Sequence, residues 1–328
     1  MRRLSAGDIA EIDAALERVL ARGLNSESIT KDEFLLPSLG AKLTDVSREL
    51  EDGCGLVKFN GLPVENYTDS ELRTLCMAIG SHLGTLVYQN AYGQLLREIC
   101  DEGSDVGTRY GQVKTTDIDV FLSSRARVSS SAALRFHTDR ADVVGLLCIR
   151  SAKTGGISKV ASSVAVHNEM LKRRPELLEL LFRDIYRSRL GEEEGGEHMV
   201  YTLPVFGIRN GKFTSHYSRT YIEAAQLFPQ VPNLSDAQWE ALDVLAALAE
   251  ELCFEMEIKP GDMQFLNNHV IYHARMPFED MPEQRRLFYR IWLCVPNHRA
   301  LPIGHEVLWG NIEAGQLRGG IRQAIARD

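Results

Sequence analysis

The order of apolar patterns along the chain predicts a mainly β fold with flanking helices, an α+β arrangement whose strands close a sandwich or barrel. Two observations predict it. Strand-like runs recur through the middle of the chain and crowd together from 253 to 295, whereas helix-like runs precede or interrupt them. The 328 residues also show no internal repeat, low-complexity tract or linker. A single domain over 1–328 is therefore expected, with an N-terminal helical segment over about 1–50 and a β core over about 54–300. A hydrophobic content of 44% is enough to build a substantial core.

Taken in order, residues 5–22 read as an amphipathic helix, with Ile9, Ile12, Leu16, Val19 and Leu20 on one face and Gly23 as its stop. CGLVKFN (54–60) reads as a strand ended by Gly61-Leu62-Pro63. Thr68 and Glu71 have capping-box spacing and open a helix whose apolar face is Leu72, Leu75, Cys76, Ile79 and Leu83. Residues 101–131, rich in Gly, Ser, Asp and Thr, read as a long mobile loop. VVGLLCIR (143–150) reads as a buried strand, followed by a turn at Thr154-Gly155-Gly156 and the strand ISKVASSVAV (157–166). Residues 168–183 suggest a helix with a second start at Pro175, and GEEEGGEH (191–198) a polar loop, its glutamates 192–194 solvated. Residues 200–218 form a hairpin pattern turning at Asn210-Gly211. A helix follows over about 236–252, with Trp239, Leu242, Leu245 and Leu248 along one side. CFEMEIK, MQFLNN, HVIYHAR and RRLFYRIWLCV then read as closely spaced strands.

Composition limits the function. A formal net charge of -8 argues against a nucleic-acid partner, though not against a local basic pocket for a small anion. The six cysteines include no C-x-x-C pair and mostly sit in apolar runs, as small buried hydrophobes in a reducing compartment do. MRRLSAGDIAEID has no apolar stretch behind its arginines, and no run approaches a membrane span, so a cytoplasmic protein is expected.

Three separated stretches carry chemistry. His137-Thr138-Asp139 places an imidazole and a carboxylate on one face if the stretch is extended. HVIYHAR offers His269 and His273, which also share a face, so parity does not choose between them. Two histidines and one carboxylate on one side of an iron ion leave positions open for a co-substrate and dioxygen, the pattern of non-haem Fe(II) oxygenases. In RRLFYR, Arg286 and Arg290 fall on one strand face with Phe288, while Arg285 points the other way. Two arginines turned into a core require an anion, and a dicarboxylate supplies one.

Together GLVKFNGLP, FHTD, TGGISKVASS, KPGDMQFLNNHVIYHAR and EQRRLFYRIWL, in that order over roughly residues 54–300, resemble the TauD/TfdA family of Fe(II)- and 2-oxoglutarate-dependent dioxygenases, relatives of clavaminate synthase. The resemblance implies a double-stranded β-helix (jelly roll) core. It also implies His137, Asp139 and His273 as metal ligands and catalytic centre, with His273 placed five residues after Asn268 and His269 set aside. Arg286 would pair with the distal carboxylate of 2-oxoglutarate, and Ser158 would donate a hydroxyl to it. Arg290 would meet either 2-oxoglutarate or an anionic substrate. A retained carboxylate at Asp139 favours hydroxylation over halogenation.

The implied activity is oxidation of a C–H bond in a small, carboxylate-bearing or otherwise anionic molecule, with O2 consumed and succinate and CO2 formed. The alternative is a non-redox metal-binding sensor or hydrolase-like protein on the same fold. A third reading is an oxygenase acting on a protein. Oligomeric state stays open, a homo-oligomer included. Arg109, Tyr110, Tyr217 and Arg219 are candidates for substrate contact that read more simply as ordinary polar surface, and the same holds for Gln89 and Asn90 near the expected site entrance.

Overall fold

A computed structural model describes residues 1–113, 121–192, 198–283 and 285–321. Two antiparallel sheets form its centre. The larger runs in the order Arg2–Arg3, Leu56–Asn60, Met263–Asn267, Val143–Arg150 and Leu287–Cys294; the first pair alone is parallel. Thr85–Val87 and Leu96–Ile99 both pair with Leu287–Cys294, beside its second and first halves. The smaller sheet runs Phe254–Met256, Ser158–Ser162, Ile271–Arg275 and Leu134–His137.

Strand parity sorts the side chains into layers. Leu287, Tyr289, Ile291 and Leu293 face outward against the helices Ala6–Ala21, Leu39–Asp52 and Asp69–Ser81, through Ile12, Leu43, Leu75 and their neighbours. On the opposite outer face, Phe136, Ala161, Tyr272 and Ala274 pack against Ser163–Arg173, Pro175–Leu181, Arg219–Ala225 and Asp236–Glu251. The alternate residues turn inward: Val144, Val160, Leu266, Ile271 and Trp292 in one inner cluster, Ile99, Cys148 and Phe288 in another. His137, His273, Arg286 and Arg290 lie in this same inner layer.

Local signals place most elements as the sequence predicts. Thr68 accepts from the Glu71 backbone N–H while the Glu71 carboxylate returns to Thr68, a box whose loss typically costs about 1 kcal/mol. The hairpin Phe206–Arg209 and Lys212–Ser215 turns on Asn210 and Gly211, both at positive φ.

Several expectations are corrected. The 101–131 stretch is not a bare loop: it holds helices Val106–Tyr110 and Ser124–Val128 and the paired strands Gln112–Val113 and Phe121–Leu122, with 114–120 outside the described residues. The strand expected over 157–166 stops at Ser162, whose hydroxyl accepts from Ala165 N–H and starts Ser163–Arg173. The second start expected at Pro175 is present: Ser163–Arg173 ends at Arg174 and Pro175–Leu181 follows. Leu20 is exposed, off the apolar face assigned to it. Leu39–Asp52 falls in the helical segment expected over about 1–50, whereas Arg219–Ala225 is a helix that the sequence patterns do not predict.

The Gly155-Gly156 turn shapes the inner layer directly. Both residues sit at positive φ, and a Cβ on Gly155 would lie 2.3 Å from the Pro277 carbonyl oxygen. Gly155→Ala is therefore expected to cost ~1–3 kcal/mol in a denaturant-unfolding measurement; a variant as stable as the parent contradicts this account of the turn.

Candidate metal and co-substrate site

His137 ends the strand Leu134–His137, and its cross-strand partner is His273 of Ile271–Arg275. That register brings the imidazole centroids to 4.2 Å, tilted by 50°. Asp139, just beyond the strand, completes a triangle: its carboxylate lies 3.8 Å from His137 Nε2 and 3.7 Å from His273 Nε2. The ligand atoms of the three residues lie within 4.8 Å of one another. His137 Nδ1 sits 2.9 Å from the Arg135 carbonyl oxygen, which only accepts, so Nδ1 carries the proton and Nε2 presents a lone pair. Asn268 holds Asp139 by accepting its backbone N–H at 3.0 Å, while its own amide donates to Ala141.

The trio fits a divalent metal. Asp139 Oδ2 and His273 Nδ1 are buried without hydrogen-bond partners, and a cation beside the carboxylate satisfies the first. Burial alone would raise the Asp139 carboxyl, but Arg290 first, then His273 and His137, outweigh it and hold it below its ordinary value. Burial pushes His273 down to about 3, helped by His137, and lowers His137 too. All three side chains are thus kept in the protonation state that coordinates metal.

Two cavities flank the trio. The first, about 580 Å³, is walled by Ile99, Leu146, Phe288 and Ser158, with His273 at one end and Arg286 lining it. Arg286 lies over the Phe288 ring at 3.9 Å and the Phe278 ring at 5.1 Å, and its Nη1 is buried without a partner. Burial pulls the guanidinium down to about 10. A carboxylate in this cavity would relieve both conditions, so the residues fit a dicarboxylate co-substrate. Ser158 is buried in the same wall, and Arg285 is exposed, as parity predicts.

The second cavity, about 440 Å³, lies on the other side of His137 and Asp139 and is far more polar. Arg97, Arg125, Arg140 and Arg290 line it, with Glu192, Tyr201 and Tyr221. Sequence reasoning missed Arg97 and Arg125, because the signal is a strand register: Arg97 stands directly opposite Arg290 across the ladder. Glu192 is a half-buried pocket residue, not the solvated acid expected; Glu193 and Glu194 lie outside the described residues.

Gln89 proves to be a support of the site. Its carbonyl accepts from Arg290 Nε at 2.8 Å, and its amide donates to the Arg290 and Leu95 carbonyls. Asn90 instead ties its own turn to Gln94, Tyr217 packs in the outer core, and Arg219 pairs with Glu223 and Asp243. Arg109 is bound to Glu102 and Asp105.

His269 stands outside the trio. Its Nε2 lies 2.8 Å from Asp142 Oδ1, which also accepts two bonds from Arg318, and its Nδ1 faces Thr214. Burial lowers it to about 3 despite Asp142, and it is a satisfied core histidine.

The profile of the taurine catabolism dioxygenase TauD, TfdA family matches residues 20–292. The chain belongs to that family. It is a 2-oxoglutarate-dependent non-haem iron dioxygenase with a double-stranded β-helix core. Among relatives, it is 30% identical over 306 residues to FR-33289 synthase of Streptomyces rubellomurinus, covering 91% of this chain and 86% of that protein. It is 31% identical over 280 residues to the taurine hydroxylase-like protein SAT17 of Stachybotrys chartarum, covering 84% and 69%. In fold it is similar to asparagine oxygenase solved with Fe(II), 2S,3S-3-hydroxyasparagine and succinate, at a TM-score of 0.66 and 16% identity over 89% of this chain and 93% of that one. Among the described residues of this TauD-family chain, no helix is long and apolar enough to cross a membrane.

The buried histidines set an acid limit on stability. His269 and His305 are held to about 3 and about 4 by burial, so the unfolded chain binds protons from about pH 6.5 downward that the folded chain refuses. Burial would raise the Asp142 carboxyl, but its His269 and Arg318 partners outweigh it and hold it at about 2, which adds stability that is lost between about pH 4 and 2. The thermal midpoint should fall steadily below about pH 6.5; a flat profile from pH 7 to 5 would show that these histidines are not buried neutral.

Proposed function

We propose that His137, Asp139 and His273 hold Fe(II), and that 2-oxoglutarate lies in the first cavity with its distal carboxylate on Arg286 and the Ser158 hydroxyl. The substrate, a small molecule carrying an anionic group, then occupies the second cavity. One observation carries the assignment: the His-Asp-His trio stands between two cavities, each with arginine in its wall. Iron with 2-oxoglutarate and O2 supplies oxidation of an unactivated C–H bond, with succinate and CO2 as co-products.

The chain's own residues supply position and exclusion. Arg286 fixes one end of the co-substrate by a charge-assisted fork, so that its oxoacid end points toward the trio. Phe288, Ile99 and Leu146 keep water away from the co-substrate. Asp139 keeps a protein carboxylate where a halide would otherwise enter, which supports hydroxylation over halogenation. Arg290, held by Gln89 and 3.4 Å from Asp139 Oδ1, faces both cavities and reaches either anion. All six cysteines are unpaired, which fits a cytoplasmic protein.

Anaerobic titration of metal-free protein with Fe(II) and then 2-oxoglutarate tests the reading. A visible iron-to-oxoacid charge-transfer band is expected in the parent. His273→Ala should abolish it, and Arg286→Ala should raise the 2-oxoglutarate requirement at least about tenfold. Tight iron binding with no band would instead support a non-redox metal protein.

A further inference from the structure

The second cavity has a charge problem that the dioxygenase reading alone does not resolve. Arg97 and Arg290 are direct cross-strand partners, a placement that like charges disfavour. Arg125 approaches from the helix Ser124–Val128, and Arg97 reaches its carbonyl oxygen at 3.5 Å. Both Arg97 and Arg125 pack on the Tyr110 ring, at 5.0 and 4.8 Å. Arg97 is buried, and Arg125 Nε is buried without a partner.

No carboxylate among the described residues forms an ion pair with Arg97 or Arg125. The nearby acid, Glu102, is already engaged by Arg109 and the Tyr110 hydroxyl at 2.7 and 2.6 Å. Burial lowers the Arg97 guanidinium to about 10, with Arg290 and Arg125 the next causes.

The charges can be counted. Arg140 and Glu192 are of opposite sign; setting them aside leaves Arg97, Arg125 and Arg290 against Asp139, a surplus of two positive charges. Loading does not remove it, because Fe(II) and the 2-oxoglutarate dianion cancel. A carboxylate or sulfonate supplies one negative charge. A phosphonate or phosphate monoester supplies nearly two, with three oxygens for separate guanidinium forks.

We propose that Arg97 and Arg125, braced on Tyr110, bind the doubly charged phosphonate or phosphate-ester group of the substrate, with Arg290 closing the site on the metal side. The inference rests on the dioxygenase reading and names its substrate class. The bound headgroup anchors the molecule at the arginine end, so the carbon to be oxidised lies toward His137 and Asp139.

The test uses four molecules that share an aminoethyl group and differ in the anion: 2-aminoethylphosphonate, O-phosphoethanolamine, taurine and β-alanine. Each is titrated by calorimetry into anaerobic protein loaded with Fe(II) and 2-oxoglutarate at pH 8. The two phosphorus compounds should bind at least about tenfold tighter than the other two. Which of them leads distinguishes a phosphonate from a phosphate ester. The advantage should shrink at pH 5.5, below the second phosphate ionisation near pH 6. Arg97→Gln and Arg125→Gln should each remove most of the preference while the charge-transfer band persists.

Equal binding of taurine or β-alanine, binding of none of the four, or a preference unchanged in both variants overturns the proposal. Loss of the band in the parent protein counts against the dioxygenase reading instead, and the anion preference is then read on protein without co-substrate.

Discussion

A strand covered on both faces has no solvent side onto which a charged residue can be turned. Leu287–Cys294 is such a strand: all eight residues are buried, with helices against one face and the second sheet against the other. Any arginine on it must find an anion inside the protein or in a ligand. Arg290 finds half of one in Asp139 and is held by Gln89; Arg286, just before the strand, packs on aromatic faces and meets no carboxylate in an ion pair among the described residues. The inner layer is therefore left short of negative charge by construction, and the chemistry of the site follows from what fills that deficit.

The same constraint explains how much polar scaffolding surrounds the trio. Asn268 bridges the Asp139 and Ala141 backbones, and its own N–H donates to the Asp142 carbonyl. Asp142 is in turn gripped by His269 and by Arg318, which arrives from a C-terminal segment beyond the family match. Gly320 N–H donates to the Arg140 carbonyl, and Ile321 N–H to Tyr88. The short run 139–142 is thus fixed by Asn268 and His269 on one side and by the C-terminal residues Arg318 and Gly320 on the other, which is what a carboxylate on a loop needs in order to hold one geometry.

Much of this was legible because it is periodic or local. Period-two parity put Arg286, Phe288 and Arg290 on one face and Arg285 outside, and the sheet bears that out. Thr68, Asn210 and Pro175 carried their element boundaries in their own chemistry. His273 could be preferred over His269 only by resemblance, since both point the same way; what separates them is Asp142, which claims His269, and that contact is invisible before folding. Arg97 and Arg125 were hidden for a related reason. Each looks like a surface arginine until strand register and a five-residue helix bring it beside Arg290. The 101–131 stretch misled because its polar composition resembles a loop, whereas Ser123 caps a helix and Arg125 lines the second cavity.

The two cavities are also built from different kinds of structure. Ser158, His273 and Phe288, on the co-substrate side, belong to central strands, where any shift must be repacked on both faces. The other cavity takes Arg125 from a helix of one turn, Arg97 from a strand at the sheet's margin, and Glu192 from a connecting segment. Mutation can therefore recast one wall without disturbing the other. The oxidising half is conservative by architecture and the recognising half is free to drift, so descendants of such a chain would change what they oxidise far sooner than how they do it.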